Sequence, residues 1–291
     1  MTDIKSIFKK IKKIEIKTKK TVEEIISGEY HSAFKGRGIE FSDVRDYHYG
    51  DDIRLIDWNV TARLNKPYIK TFQEERELSI LLAIDVSSST AFGSIYKTIR
   101  ELMTEVAALF CFAAIRNNDK VGLVIFNNRI VQYTPPKSGN VNLLKIIKNI
   151  IQAETIQGQT SLKSTIEFLN HLKIKKSIVI LMSDFLDTDF SKPLKMLSKK
   201  HDLIPILFED PFLRYTLEKP SSTSVRDIES EEMILLPELS DQKILENNLT
   251  GFLNNRYRIF SNIGLDYIRL TTEESYVKPI LKFFHKRNRQ V

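Results

Sequence analysis

The run Ile80-Leu-Leu-Ala-Ile-Asp85-Val-Ser87-Ser-Ser89 constrains the fold more than any other stretch of this chain. Its five apolar residues, bounded by polar ones, read as a strand buried on both faces, the signature of a parallel sheet covered by helices on each side. In such sheets the chemistry lies just beyond the carboxyl ends of the strands. Asp85 stands at such an end, and Ser87 and Ser89 follow on the loop, so one carboxylate and two hydroxyls leave the strand together. Hard oxygen donors in that arrangement suit a hard divalent cation, Mg2+ above all.

Two later segments extend the pattern. Gly158-Gln159-Thr160-Ser161-Leu162 offers a hydroxyl on a glycine-containing loop, and Ser177-Ile-Val-Ile-Leu-Met-Ser183-Asp184 is a second apolar strand ending in a carboxylate. The series Asp-x-Ser-x-Ser, then Thr, then Asp resembles the metal-ion-dependent adhesion site (MIDAS) of von Willebrand factor A domains. That resemblance implies metal ligands at Asp85, Ser87, Ser89, Thr160 and Asp184, with Mg2+ or Mn2+ as the ion. It also implies a protein-interaction role in place of catalysis.

Composition narrows the setting. With 291 residues, 42% of them hydrophobic, the chain can bury a full core and is long enough for one large domain with an appendage. The longest uninterrupted apolar run, Val106 to Ile115, falls short of the roughly 18 residues that suggest a membrane span. At the N-terminus, Ile4, Ile7, Phe8, Ile11 and Ile14 are interleaved with lysines instead of forming the apolar block of a signal peptide. A cytoplasmic protein, peripheral to the membrane at most, is therefore expected. The single cysteine, Cys111, excludes an intrachain disulfide and sits in that apolar run as a packed core residue.

The net charge of +7 is concentrated at one end, because residues 1–20 carry eight lysines against Asp3 and Glu15. The apolar positions there share one helical face ringed by lysines, a pattern that suits a helix packed on its own domain, an anionic lipid surface, or nucleic acid. Aromatics do not alternate with the basic residues, which argues against nucleic acid. The helix can extend to about Gly28.

Past it lies Gly36-Arg-Gly-Ile-Glu40-Phe41-Ser-Asp43-Val-Arg45-Asp46-Tyr47-His48-Tyr-Gly50-Asp51-Asp52-Ile-Arg54-Leu-Ile-Asp57-Trp58-Asn-Val-Thr-Ala62-Arg63, dense in charge and poor in periodicity. Its Glu-Phe, Arg-x-Tyr, Gly-Asp-Asp, Arg-x-Ile-Asp-Trp and Ala-Arg series resembles the domain-of-unknown-function 58 family, von Willebrand A-like proteins encoded beside MoxR-type AAA+ ATPases. The resemblance runs from about Gly36 to the C-terminus. Tyr49 stands where members usually have proline, and the membrane helices that many members carry ahead of this segment are not evident. Physically, four arginines and six carboxylates predict an ion-pair network holding an irregular segment against the sheet, with Trp58 as its apolar anchor. A hydrolytic centre around His48 lacks any supporting spacing such as His-x-x-x-His.

The remainder alternates strand and helix. Strands are expected at 78–85, 120–126, 129–133, 178–183, 202–208 and 265–270, with Asn127-Asn128 turning a hairpin between the second and third. Helices are expected at 95–116, 140–153, 161–171, 192–199, 241–260 and 276–286. This predicts an α/β, doubly wound, mostly parallel sheet flanked by helices, of von Willebrand factor A-like type. Residues 1–77 form the basic helix and charged segment, 78–291 the main domain, and the proline-containing stretch at about 209–240 an inserted hairpin. The expected function is a metal-dependent interaction module, adaptor or co-chaperone of a MoxR-type AAA+ ATPase or its client, gripping an acidic partner residue. The rival is a Mg2+-dependent phosphotransferase or phosphatase. An aspartyl nucleophile of the haloacid-dehalogenase kind wants a second acid where Ser87 stands, and no Gly-x-x-x-x-Gly-Lys phosphate loop is present.

Overall fold

The computed structural model describes residues 39–74, 78–93, 97–153, 160–211, 251 and 253–289, together with Lys12 and the short pairs 225–226 and 233–234. The basic helix expected before Gly28 and residues 241–250 of the penultimate expected helix lie outside the described residues. In chain order the strands are β1 (Ile39–Asp46), β2 (Tyr68–Glu74), β3 (Ser79–Asp85), β4 (Lys120–Phe126), β5 (Ile130–Lys137), β6 (Ile178–Ser183), β7 (Asp202–Glu209), β8 (Val225–Arg226), β9 (Met233–Ile234) and β10 (Ile268–Thr271). The helices are α1 (Trp58–Leu64), α2 (Ile99–Asn117), α3 (Asn140–Gln152), α4 (Leu162–His171), α5 (Ser191–Lys200), α6 (253–263) and α7 (Val277–Asn288).

Six strands form the central sheet in the order β10-β7-β6-β3-β4-β5, with every neighbouring pair parallel except β4 and β5. Successive side chains on a strand point to opposite faces, so the apolar runs supply two cores at once. Ile80, Leu82 and Ile84 of β3 pack with Leu102 and Val106 of α2, Ile146 of α3 and Phe284 of α7. Leu81 and Ala83 turn to the other face, against Ile166 of α4, Leu194 of α5 and Phe260 of α6. Cys111 is fully buried within the first cluster, and its burial pushes the thiol pKa up.

Local signals explain most boundaries. Helix α2 begins at Ile99, not at residue 95, because the Thr98 hydroxyl accepts the Glu101 N–H while the Glu101 carboxylate accepts the Thr98 N–H. It ends where Asn118 takes the left-handed conformation at φ 59°. The hairpin expected at Asn127 is present, with β5 running on through Pro135 and Pro136 to Lys137. Prolines are tolerated there because β5 is an edge strand. Gly122 faces them: a Cβ on it would lie 2.8 Å from both the Pro136 nitrogen and the Thr134 carbonyl oxygen, so a side chain at 122 would collide with β5.

The charged stretch differs from its expected irregular form. Strands β1 and β2 pair antiparallel with a bulge between Phe41 and Asp43, and a 3-10 turn (Ile53–Leu55) and α1 connect them. Asp57 caps α1 by accepting the Asn59 and Val60 N–H groups, which puts Trp58 at the first helical position. Trp58 is 68% exposed, so it is not the anchor expected of it; Ile69, at 4%, is buried instead. The ion pairs are present: Arg45 binds Asp51 through two parallel bonds of 2.9 and 2.8 Å, and Arg54 binds Asp52. In the 209–240 stretch, β8 and β9 pair antiparallel with Val225 opposite Ile234.

The chain leaves β3 for β4 on one side and later enters β6 on the other. The point where the winding reverses therefore falls between the carboxyl ends of β3 and β6, where the connections diverge and leave a crevice.

Candidate metal centre

Asp85 closes β3 at this crevice and is fully buried. Its Oδ1 accepts the Ser87 N–H at 2.9 Å, a side-chain-to-backbone turn that folds the loop back over the strand end. Its Oδ2 accepts the Ser183 hydroxyl at 2.7 Å, across to the end of β6. The Ser87 and Ser89 hydroxyls lie 3.0 Å apart, and Thr90 fixes the turn by donating its hydroxyl to the Ser87 carbonyl at 2.8 Å. Ser87 and Thr90 are fully buried.

On the β6 side, Ser183 Oγ also lies 3.5 Å from Asp184 Oδ1 and accepts the Phe185 N–H at 3.0 Å. Leu186 donates its N–H to the same Asp184 oxygen at 3.1 Å. Phe185 adopts φ 55°, an uncommon conformation for a residue with a bulky side chain, so the backbone turns sharply just past Asp184. The structure thus brings Asp85, Ser87, Ser89 and Asp184 to one place, joined through Ser183.

Thr160 reaches the same sheet edge by another route. Ser161 donates its N–H to the Asn127 carbonyl after β4 at 3.1 Å, and Leu162 donates its N–H to Asp187 Oδ2 after β6 at 2.6 Å. Two atoms of the five expected ligands, Thr160 Oγ1 and Asp184 Oδ2, are buried without a hydrogen-bond partner among the described residues. Buried polar atoms are rarely left so, and two at one strand edge fit an oxygen-binding cation.

Electrostatics agree with the geometry. Burial pushes Asp85 up to about 7, and the charge of Asp184 pushes in the same direction, against the hydrogen bonds from Ser87 and Ser183. Among the described residues no three His, Cys, Asp or Glu side chains group to hold a metal ion, so a cation here must draw on hydroxyl oxygens as well.

The family model for DUF58, a protein of unknown function, matches residues 43–247, most of the chain. The chain belongs to this family. This DUF58 protein is 25% identical over 289 residues to uncharacterized proteins of Mycobacterium tuberculosis and Mycobacterium bovis, covering 96% of its own length and 89% of theirs. Among solved structures, BatB from Bacteroides thetaiotaomicron is similar with a TM-score of 0.48 and 15% identity, over 73% of this chain and 99% of that one. The SpRpn10 VWA domain is similar with a TM-score of 0.39 and 11% identity, over 70% and 94%.

Three residues that support this candidate site were not singled out in the sequence. Ser183 sits between two carboxylates, and its one signal is its place beside Asp184 at a strand end. Asp187 ties the Thr160 segment to the β6 loop. Arg256, buried on α6, donates to the Asp184 carbonyl at 2.6 Å and also binds Glu209. No sequence spacing announces a partner 72 residues away. Beside Asp184, a cleft of about 60 Å³ is lined by Leu186, Phe208, Glu209, Leu253, Arg256 and Thr271 among others. No described helix is long and apolar enough to cross a membrane.

Proposed function

We propose that this protein is a non-enzymatic interaction module that grips an acidic side chain of a partner through a divalent cation at the crevice between β3 and β6. The observation that carries the reading is the pair of unsatisfied buried oxygens, Thr160 Oγ1 and Asp184 Oδ2, beside the hydroxyls of Ser87 and Ser89 and the carboxylate of Asp85. Mg2+ or Mn2+ bound there supplies positive charge with a coordination position open to a carboxylate oxygen. Hydroxyls are neutral ligands and leave much of that charge uncompensated. Ser87 and Ser89 orient their oxygens through the turn that Asp85 and Thr90 fix, while Arg256 holds the Asp184 backbone in place.

The phosphatase or phosphotransferase reading fares worse. A nucleophilic carboxylate needs an accessible oxygen, whereas both Asp85 oxygens already accept hydrogen bonds and the residue is fully buried. Family resemblance suggests a MoxR-type AAA+ ATPase or its client as the partner. The test is isothermal titration with Mg2+ and Mn2+, followed by capture of native-cell proteins with and without chelator. Chelator-sensitive capture of an AAA+ ATPase, lost in Asp85→Asn, supports the reading. The absence of cation binding by the folded protein at millimolar concentration overturns it.

A further inference from the structure

The segment between β1 and β2 is built opposite to the rest of the molecule, with its charges braced and its apolar side chains outside. Five of the nine large apolar residues exposed among the described residues fall within residues 49–64: Tyr49, Ile53, Leu55, Trp58 and Leu64. Trp58 and Ile53 are 68% and 66% exposed. The backbone that displays them is held firmly. Arg45 grips Asp51, which also accepts the His48 N–H; Asp52 caps the 3-10 turn and holds Arg54; Asp57 caps α1 and lies 3.8 Å from Lys70. Ile56 bridges to Ile69 of β2, and Asp57 donates its N–H to the Tyr68 carbonyl. Rigid display of a tryptophan, a tyrosine and aliphatic residues is the composition of an energetic centre in an interface.

We infer that this surface is a docking site for residues 4–14 of the same chain. That stretch carries Ile4, Ile7, Phe8, Ile11 and Ile14 at a spacing that puts them on one face of a helix. Chain continuity favours it, because the stretch is covalently joined to β1, one strand of the hairpin that bears the exposed side chains, and covalent connection raises its effective concentration there. Charge favours it too. Residues 1–20 hold eight lysines against two acids, whereas residues 39–74 hold seven acids against five bases. Asp43 and Asp46 on β1 make no ion pair among the described residues and are exposed to receive lysines. The inference is independent of the metal centre.

Trp58 is the sole tryptophan, so its emission reports this surface directly. In the full-length wild type it should be blue-shifted and shielded from acrylamide. In full-length Ile7→Glu/Ile11→Glu it should shift to the red with several-fold stronger quenching, while far-ultraviolet circular dichroism stays that of a folded protein. Leu55→Glu, which alters the receiving surface, should produce the same exposure. A synthetic peptide of residues 1–20 should restore the blue shift to the Ile7→Glu/Ile11→Glu variant and not to Leu55→Glu. Equal, water-like emission from wild type and all variants overturns the inference. Emission that turns blue only at high protein concentration, or only with phosphatidylserine vesicles, assigns the surface to a second copy or to a membrane and also overturns it.

Discussion

Two buried carboxylate clusters lie close together at the carboxyl edge of the sheet, and they are compensated in opposite ways. Glu209, at the end of β7, meets the guanidinium groups of Arg256 and Arg269 and the Tyr257 hydroxyl. Burial alone would raise its pKa, but Arg256, Tyr257 and Arg269 overcome it and hold the carboxyl below its usual range. Asp85 and Asp184 face each other, and among the described residues their carboxylates are met by hydroxyl and amide donors and by no cationic side chain. There burial and the neighbouring carboxylate drive Asp85 the other way. Arg256 touches both clusters, giving one amino group to Glu209 and the other to the Asp184 carbonyl. A carboxylate cluster with its cations built in serves the fold; one without them is where the proposed function puts a cation from outside.

The sharpest way to break this comparison is to remove the built-in cation. Arg256→Met leaves buried Glu209 with the Tyr257 hydroxyl and the partly exposed Arg269 and should cost about 3–5 kcal/mol in urea denaturation at pH 7. A loss under about 1 kcal/mol would mean that the Glu209 cluster is not a structural pair at all.

Next in size is the pH dependence of the cation-free protein. A carboxyl whose pKa is raised on folding favours the folded state while protonated, so its contribution is full below the ordinary carboxylate range and declines as pH rises towards about 7. Across pH 4 to 8, chelator-treated wild type should lose on the order of 2–4 kcal/mol relative to Asp85→Asn, whose amide cannot ionise. At pH 7.5 the cation-free Asp85→Asn should be at least as stable as wild type. If it unfolds instead, the Asp85 carboxylate is held by its own hydrogen bonds and the repulsion is minor.

Mg2+ sharpens the contrast from the other side. At a hundred times its dissociation constant it should stabilise wild type by about 2.7 kcal/mol, seen as a rise in melting temperature. The response should grow from pH 5 to 8, since the ion needs ionised Asp85. Thr160→Ala should weaken it and Asp85→Asn abolish it. The smallest effect expected is none: purified protein should hydrolyse neither ATP nor phosphate esters above background, and turnover lost in Asp85→Ala would overturn the non-enzymatic reading.

The sheet was legible because fully buried strands carry uninterrupted apolar runs. Asp85 and Asp184 were placed at strand ends by that same signal, and β3 and β6 are neighbours. The β1–β2 hairpin was not legible, because the bulge after Phe41 breaks the two-residue period: Ile39 and Phe41 keep it, Val44 does not. Trp58 misled because an apolar residue among charges invites burial, whereas capping by Asp57 turned it outward. The cation-bearing cluster was invisible for another reason. Glu209 and Arg256 are 47 residues apart, and local pattern carries no information about pairs that only the finished sheet brings together.

The prolines of β5 set a limit on how this molecule can associate. A sheet with free edges invites other strands to extend it, and the ends of this sheet are β5 and β10. Pro135 and Pro136 offer no N–H at two of the eight positions of β5, and β10 is only four residues long at the other edge. Both margins are therefore poor templates for an incoming strand. Among the described residues, edge-to-edge pairing of two copies through this sheet is disfavoured.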